Sequence, residues 1–167
     1  MPTYPKNQSN PPDTLVRTGH SLTIIANGKA IGLINNWNPQ QSRQITPIYE
    51  INSETSGLIL ENVPGNLQNL TIAVSRYDIW PDRMENVFGT TNLVVLANQK
   101  SPFTVQERWI SPTGGLEVWL YEGCWFTNVG RAHRSDDTRL VNVNATIQYV
   151  HISKLNSLEY QIIASIG

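Results

Sequence analysis

Chemistry in this chain would have to come from its three histidines, single cysteine, one acidic loop and five tryptophans. His20, His133 and His151 lie far apart, and no H-x-x-x-H or C-x-x-C spacing joins them to one another or to Cys124. A metal centre needs several such ligands converging, so neither a metal nor a cofactor is expected. Cys124 stands among Trp and Tyr in an apolar run, where a small buried hydrophobe is the simpler role than a nucleophile. Asp136 and Asp137, flanked by Arg134 and Arg139, read as a solvated loop whose charges form ion pairs between subunits. No G-x-S-x-G, phosphate-binding loop or G-x-G-x-x-G occurs, and no carboxylate pair stands out for glycosidase work. An enzyme is not expected. Trp37, Trp80, Trp109, Trp119 and Trp125 have faces on which sugars or bases stack, yet in a β domain they read first as core and interface aromatics.

Composition narrows the partners. Charged residues make up only 15% of the 167, against the usual quarter or so, and Asn, Gln, Ser and Thr fill the gap. The net charge is −1 with no basic block, which removes the clustered Lys and Arg that nucleic acids and anionic membranes reward. Near-neutrality does little to oppose self-association. No run approaches the ~20 apolar residues of a membrane-spanning helix, so no membrane insertion is expected. The N-terminus has no apolar signal-peptide core, and synthesis in a cytoplasm is the expectation. One cysteine excludes an internal disulfide.

The elements that must position these side chains are strands. Residues 1–20 form an arm, poor in apolar content over its first fourteen positions, 21–154 a β domain and 155–167 a semi-apolar tail. Within the domain, residues 21–26 read as a strand turning at Asn27-Gly28. Residues 28–51 read as a long hairpin whose turn is Asn38-Pro39-Gln40-Gln41-Ser42, with Ile31, Leu33 and Trp37 on one face of the first arm. Short strands are expected over 57–63, closed by Pro64-Gly65-Asn66, and over 69–77. One helix is expected over 78–88, capped by Asp78 and stopped by Gly89, with Met84, Val87 and Phe88 as its apolar stripe. Further strands follow at 103–110, 116–128 and 140–152. In the second of these, Leu116, Val118, Leu120, Cys124 and Phe126 are placed on one face and Trp119, Tyr121 and Trp125 on the other. In the last, Val141, Val143, Ala145, Ile147 and Tyr149 alternate with Asn142, Asn144, Thr146 and Gln148. Exposed strands ordinarily carry Lys, Glu or Arg to discourage sticking. Four consecutive uncharged outward positions suggest a face that is not free solvent surface.

The pattern IG-x-I-x-x-W-x-P-x-Q-x-R-x-I-x-x-IYEI, from Ile31-Gly32 through Arg43 to Ile51, resembles the N-terminal hairpin of tail tube proteins from contractile-tailed bacteriophages. The later NVPGNLQNLTIAVSRYDIW, followed by a helix ending Val87-Phe88-Gly89, is similar to them too, so that the resemblance covers residues 24–89. It implies a mainly β, antiparallel sandwich or barrel-like fold with one short flanking helix. It also implies hexameric rings stacked into a tube that conducts DNA, within a virion tail made in a host bacterium, with sheath, tape-measure and baseplate proteins as partners. Under that reading Gln44, Thr46, Glu50, Asn142, Asn144, Thr146 and Gln148 line the bore. Contacts between subunits or rings fall to Trp37, Arg43, Trp119, Trp125, Arg131, Arg134, Asp136 and Asp137, with the terminal arm. A neck, tail-completion or baseplate protein of the same fold, or a carbohydrate-binding β-sandwich, stays open as an alternative.

Overall fold

The computed structural model describes residues 22–51, 54, 57–78, 83–89, 95–110, 115–132 and 141–155. The arm 1–20, the tail beyond Leu155, Trp80, and the loop holding Arg134, Asp136 and Asp137 lie outside these residues. Eight strands follow in order: β1 (Leu22–Ala26), β2 (Lys29–Ala30), β3 (Ile34–Tyr49), β4 (Ile59–Tyr77), β5 (Phe103–Ile110), β6 (Leu116–Ala132), β7 (Asn142–Gln148) and β8 (His151–Leu155). They form one antiparallel sheet path, β2-β1-β5-β6-β7-β4-β3, with β8 added beside β6. The expected mainly β, antiparallel fold is what the chain adopts.

β6 is the strand on which the sheet bends. Its first half pairs with β5 on one side and β8 on the other, and its second half pairs with β7. Ile24, Phe103, Val105 and Tyr121 from one half of the path therefore share a buried core with Ile72, Val74, Val143, Ala145 and Ile147 from the other. Phe88, Phe103 and Phe126 form an aromatic knot inside it, with ring centroids 5.0–5.6 Å apart. At roughly 25 cal/mol per Å² of apolar area removed from water, such burial is the main force holding the two halves together.

The long hairpin is not where the residues place it. β3 runs straight through Asn38–Ser42, and its partner is β4, with Pro39 opposite Ile72 and Gln40 opposite Thr71. Proline is tolerated because β3 ends the sheet path, where alternate N–H groups have no partner to lose. The reversal falls between Tyr49 and Ile59 instead. β4 is likewise not closed at Pro64-Gly65-Asn66; the register slips between Gln40 and Ser42 and again between Arg43 and Ile45, and the strand continues. Asn69, at φ 54, sits in one of these slips.

Local irregularities also reset which side chains face the core. A slip between Ile34 and Asn36 turns Ile34 and Trp37 toward the core, while Leu33, at φ 61, is 51% exposed. In β6 the expected two-face alternation fails twice. Between Tyr121 and Cys124 an extra residue is accommodated at Gly123, φ 67, and between Phe126 and Asn128 another slip occurs. Tyr121, Cys124 and Phe126 all end up buried in the core, with Val129 packed against it. The strand expected over 140–152 breaks at Tyr149-Val150, where the Val150 N–H donates to Glu122 O (3.0 Å) beside the Gly123 irregularity.

Three smaller expectations fare better. Asn27 and Gly28, at φ 49 and 73, form the turn between β1 and β2. The helix is a single turn, α1 (Met84–Val87), whose N-cap position is Arg83 rather than Asp78. Its stripe is as expected: Met84 and Phe88 are buried, Val87 packs against the core, and Gly89, φ 83, follows the helix.

Candidate functional site

Alternation along β7 leaves Val143, Ala145, Ile147 and Tyr149 buried, and the opposite side chains face away from the core. Registers of the neighbouring strands extend this outer face into a grid. Asn36 stands beside Ser75, Asn144 and Gly130; Asn38 beside Ala73, Thr146 and Asn128; Gln40 beside Thr71, Gln148 and Trp125. Twelve positions on four strands carry no charge. Asn142 lies one step further along, opposite Tyr77, and its Oδ1 accepts a hydrogen bond from Asn35 Nδ2 at 2.9 Å. Thr127 Oγ1 donates to Thr146 O at 3.1 Å. Such a surface is wet and hydrogen-bonding but offers no fixed charge to hold phosphate.

Asn142, Asn144, Thr146 and Gln148 thus stand together on one face. Gln44 and Thr46 continue the β3 alternation beyond Gln40 onto a different region, and Glu50 follows the strand's end. There β3 and β4 project past the core as a two-stranded arm in which no residue from Gln41 to Ile51 or from Gly57 to Asn69 is buried among those described. Ile45, Tyr49, Ile51, Leu58, Leu60 and Leu67 are all more than half exposed on it. The alternation of Ile45, Tyr49 and Ile51 would suit a core-facing side of the hairpin, but among the described residues nothing lies beneath them. An isolated two-stranded hairpin is marginal in water, and an apolar one marks a contact surface.

The residues assigned to contacts divide. Arg43 is exposed on the arm, Arg131 is exposed at the end of β6, and Trp125 is 39% exposed beside Gln148. Trp37 and Trp119 are half-buried against the core instead. Trp37 Nε1 donates to Glu107 Oε2 at 3.0 Å, tying β3 at one end of the sheet path to β5 near the other. Glu107 also accepts from Tyr121 OH (2.8 Å) and Trp109 Nε1 (2.5 Å). Burial first, then the charge of Glu107, pushes the Tyr121 hydroxyl well above its ordinary value, which keeps it a donor. Burial likewise pushes the Cys124 thiol from 9.0 up to about 12, the inert behaviour expected of it.

Asn36, Asn38, Gln40, Thr71, Ser75 and Asn128 escaped the sequence reading of the outer face. The period-2 signal Asn36-Asn38-Gln40 was present, but a turn assigned at Asn38–Ser42 concealed it. Glu107 carried no signal at all, since a lone Glu in a strand reads as exposed. Among the described residues no cluster of His, Cys, Asp and Glu could hold a metal ion, and no helix is long and apolar enough to cross a membrane.

This architecture is the tail tube fold, found in tube and tube-terminator proteins of contractile injection systems and phage tails. The tube-terminating cap of the anti-feeding prophage superposes with a TM-score of 0.64 at 8% identity, covering 85% of this chain and 92% of that one. The PVC sheath-tube complex, from an extracellular contractile injection system in its extended state, gives 0.63 at 12% identity, covering 84% and 92%. The SPP1 tail tube gives 0.60 at 10% identity, covering 85% and 80%. No protein-family model and no curated protein matches the chain. At these identities the likeness is one of fold.

Proposed function

We propose that this protein is a structural subunit of the inner tube of a contractile phage tail or related injection machine. Copies assemble side by side into hexameric rings, and rings stack into a tube through which DNA passes. The observation that carries this reading is the uncharged grid on the face opposite the core, in a fold shared with tube proteins. Turned inward, such a face lines a conduit without binding what moves through it. Long β3 at the end of the sheet path supports ring closure, because an edge of that length invites strand pairing with a neighbour. Gln44, Thr46 and Glu50 approach the bore on the projecting arm, and Arg43, Trp125, Arg131 and the loop with Arg134, Asp136 and Asp137 meet neighbouring copies. Around the 21–154 domain, residues 1–14 and the loop from Arg131 to Arg139 make the contacts between successive rings, and the tail 155–167 packs on the domain or on a neighbour. Sheath, tape-measure and baseplate proteins are the expected partners, and the virion tail the location.

A second reading, a tube terminator, rests on one observation: the anti-feeding prophage cap and the PVC sheath/tube terminator match as well as the PVC sheath-tube complex does, at TM-scores of 0.64 and 0.62 against 0.63. Negative-stain electron microscopy of concentrated protein separates these. Long tubes support the tube subunit, and rings that never stack support the terminator. Compact monomers at every concentration overturn both.

A further inference from the structure

The Glu107 cluster opens onto a cavity of about 260 Å³, walled by Trp109, Trp119, Tyr121 and Tyr149 and closed at one side by Gln40 and its neighbours on β3. Glu107 is 6% exposed, and its three hydrogen-bond donors are all neutral: two indoles and a phenol. Among the described residues no Lys, Arg or His pairs with it; Lys154 pairs with Glu117 instead. A carboxylate offers about four acceptor positions. Oε2 uses two and Oε1 one, which leaves one position at Oε1. A buried carboxylate that finds no countercharge among the described residues is costly, and aromatic rings such as those lining the cavity attract a cation through their faces. Lys154 Nζ already lies 5.4 Å from the centroid of the Trp119 ring, so a ring of this wall attracts a cation within the subunit.

We propose that this cavity binds a side-chain-sized guanidinium, with the ring faces stacking on its plane and Oε1 accepting one of its N–H groups. A guanidinium fits better than an ammonium because it is planar and weakly hydrated, so less is lost on leaving water. The volume suits one side chain rather than a larger ligand, since small-molecule pockets usually start at about 300 Å³. The inference stands on the cavity alone and does not depend on tube assembly. An arginine presented by a protein and a free guanidinium compound share this chemistry.

Titration of the full chain with ethylguanidinium at constant ionic strength, followed by tryptophan fluorescence, tests it. Saturable binding is expected, with the neutral isostere N-ethylurea showing none. Binding should weaken roughly 5- to 30-fold in Trp119→Leu, the scale of one desolvated cation–π contact, and vanish in Glu107→Gln. Trp119→Leu leaves all three donors on Glu107, so it reports on the site even where Glu107→Gln fails to fold. A capped Gly-Arg-Gly peptide binding more tightly than ethylguanidinium points to a protein as the source; equal affinities point to a free compound. Absence of saturation with ethylguanidinium and peptide alike, or equal binding of N-ethylurea, overturns the proposal.

Discussion

Glu107, Cys124 and Gly123 show how single residues of this protein act through burial rather than reactivity. Tyr121→Phe keeps the edge contacts of the ring with Trp37 and Tyr149, at 6.3 and 5.2 Å between centroids, but removes one donor from Glu107. Hydrogen bonds to charged groups contribute about 1.5–3 kcal/mol, so denaturant unfolding should show a loss of that order. Cys124 gives a pH effect of defined sign. Its folded value lies above the unfolded one, so the unfolded chain releases the thiol proton first, and the stability present below pH 9.0 declines as pH rises toward about 12. Unfolding curves taken across that range should show the decline, reduced in Cys124→Ala after allowance for its cavity. Gly123 holds φ 67, and an added Cβ there would stand 3.0 Å from Val150 Cγ2. Gly123→Ala should cost at least the ~1–2 kcal/mol of left-handed backbone, read as a lowered unfolding midpoint.

At the scale of elements, the projecting β3–β4 arm is the feature with most consequence. Core side chains cost several kcal/mol to remove, whereas Ile45 and Leu60, 57% and 61% exposed, contribute little to a single subunit. Ile45→Asp with Leu60→Asp should therefore leave the thermal midpoint of dilute protein nearly unchanged while abolishing self-association in sedimentation velocity. A large fall in the dilute midpoint would mean the arm packs on its own domain. β6 shows the other role of irregular strands. Its two slips let one strand serve both halves of the sheet, and Gln99 secures the bend by donating to Cys124 O (3.2 Å) and accepting from Phe126 N (3.0 Å).

At the scale of the whole molecule, the distribution of charge is what distinguishes the surfaces. The twelve-position grid has none, and Asn144 stands in it next to Ser75 and Gly130, one row from Thr146 at its centre. Asn144→Lys places one charge on an exposed site and should leave folding intact by circular dichroism. In the proposed hexameric tube, rings should still form in electron micrographs, and six such lysines per ring should slow DNA passage in an ejection assay. Loss of the subunit's fold would count against the outward position of Asn144.

Strand character, the turn at Asn27-Gly28, the apolar stripe of α1 and the uncharged side of β7 were legible in the residues alone. Each depends on alternation or on the backbone preference of a few neighbours, which are properties of a short stretch of chain. Other features were decided only by tertiary pairing. Asn38–Ser42 has turn-forming composition but lies in a strand, because Gln68 to Ala73 of β4 pair alongside it and an edge position spares its proline. Tyr121, Cys124 and Phe126 share a face only because Gly123 interrupts the register against β5, and Val129 joins them because Thr127 interrupts it against β7. Glu107 is buried because donors from β3, β5 and β6 converge on it, and Asn36, Asn38 and Gln40 join the β7 face because β4 lies between them. Periodicity tells which side chains alternate; which strand stands next to which, and where a bulge reverses the count, is set by contacts between residues dozens of positions apart.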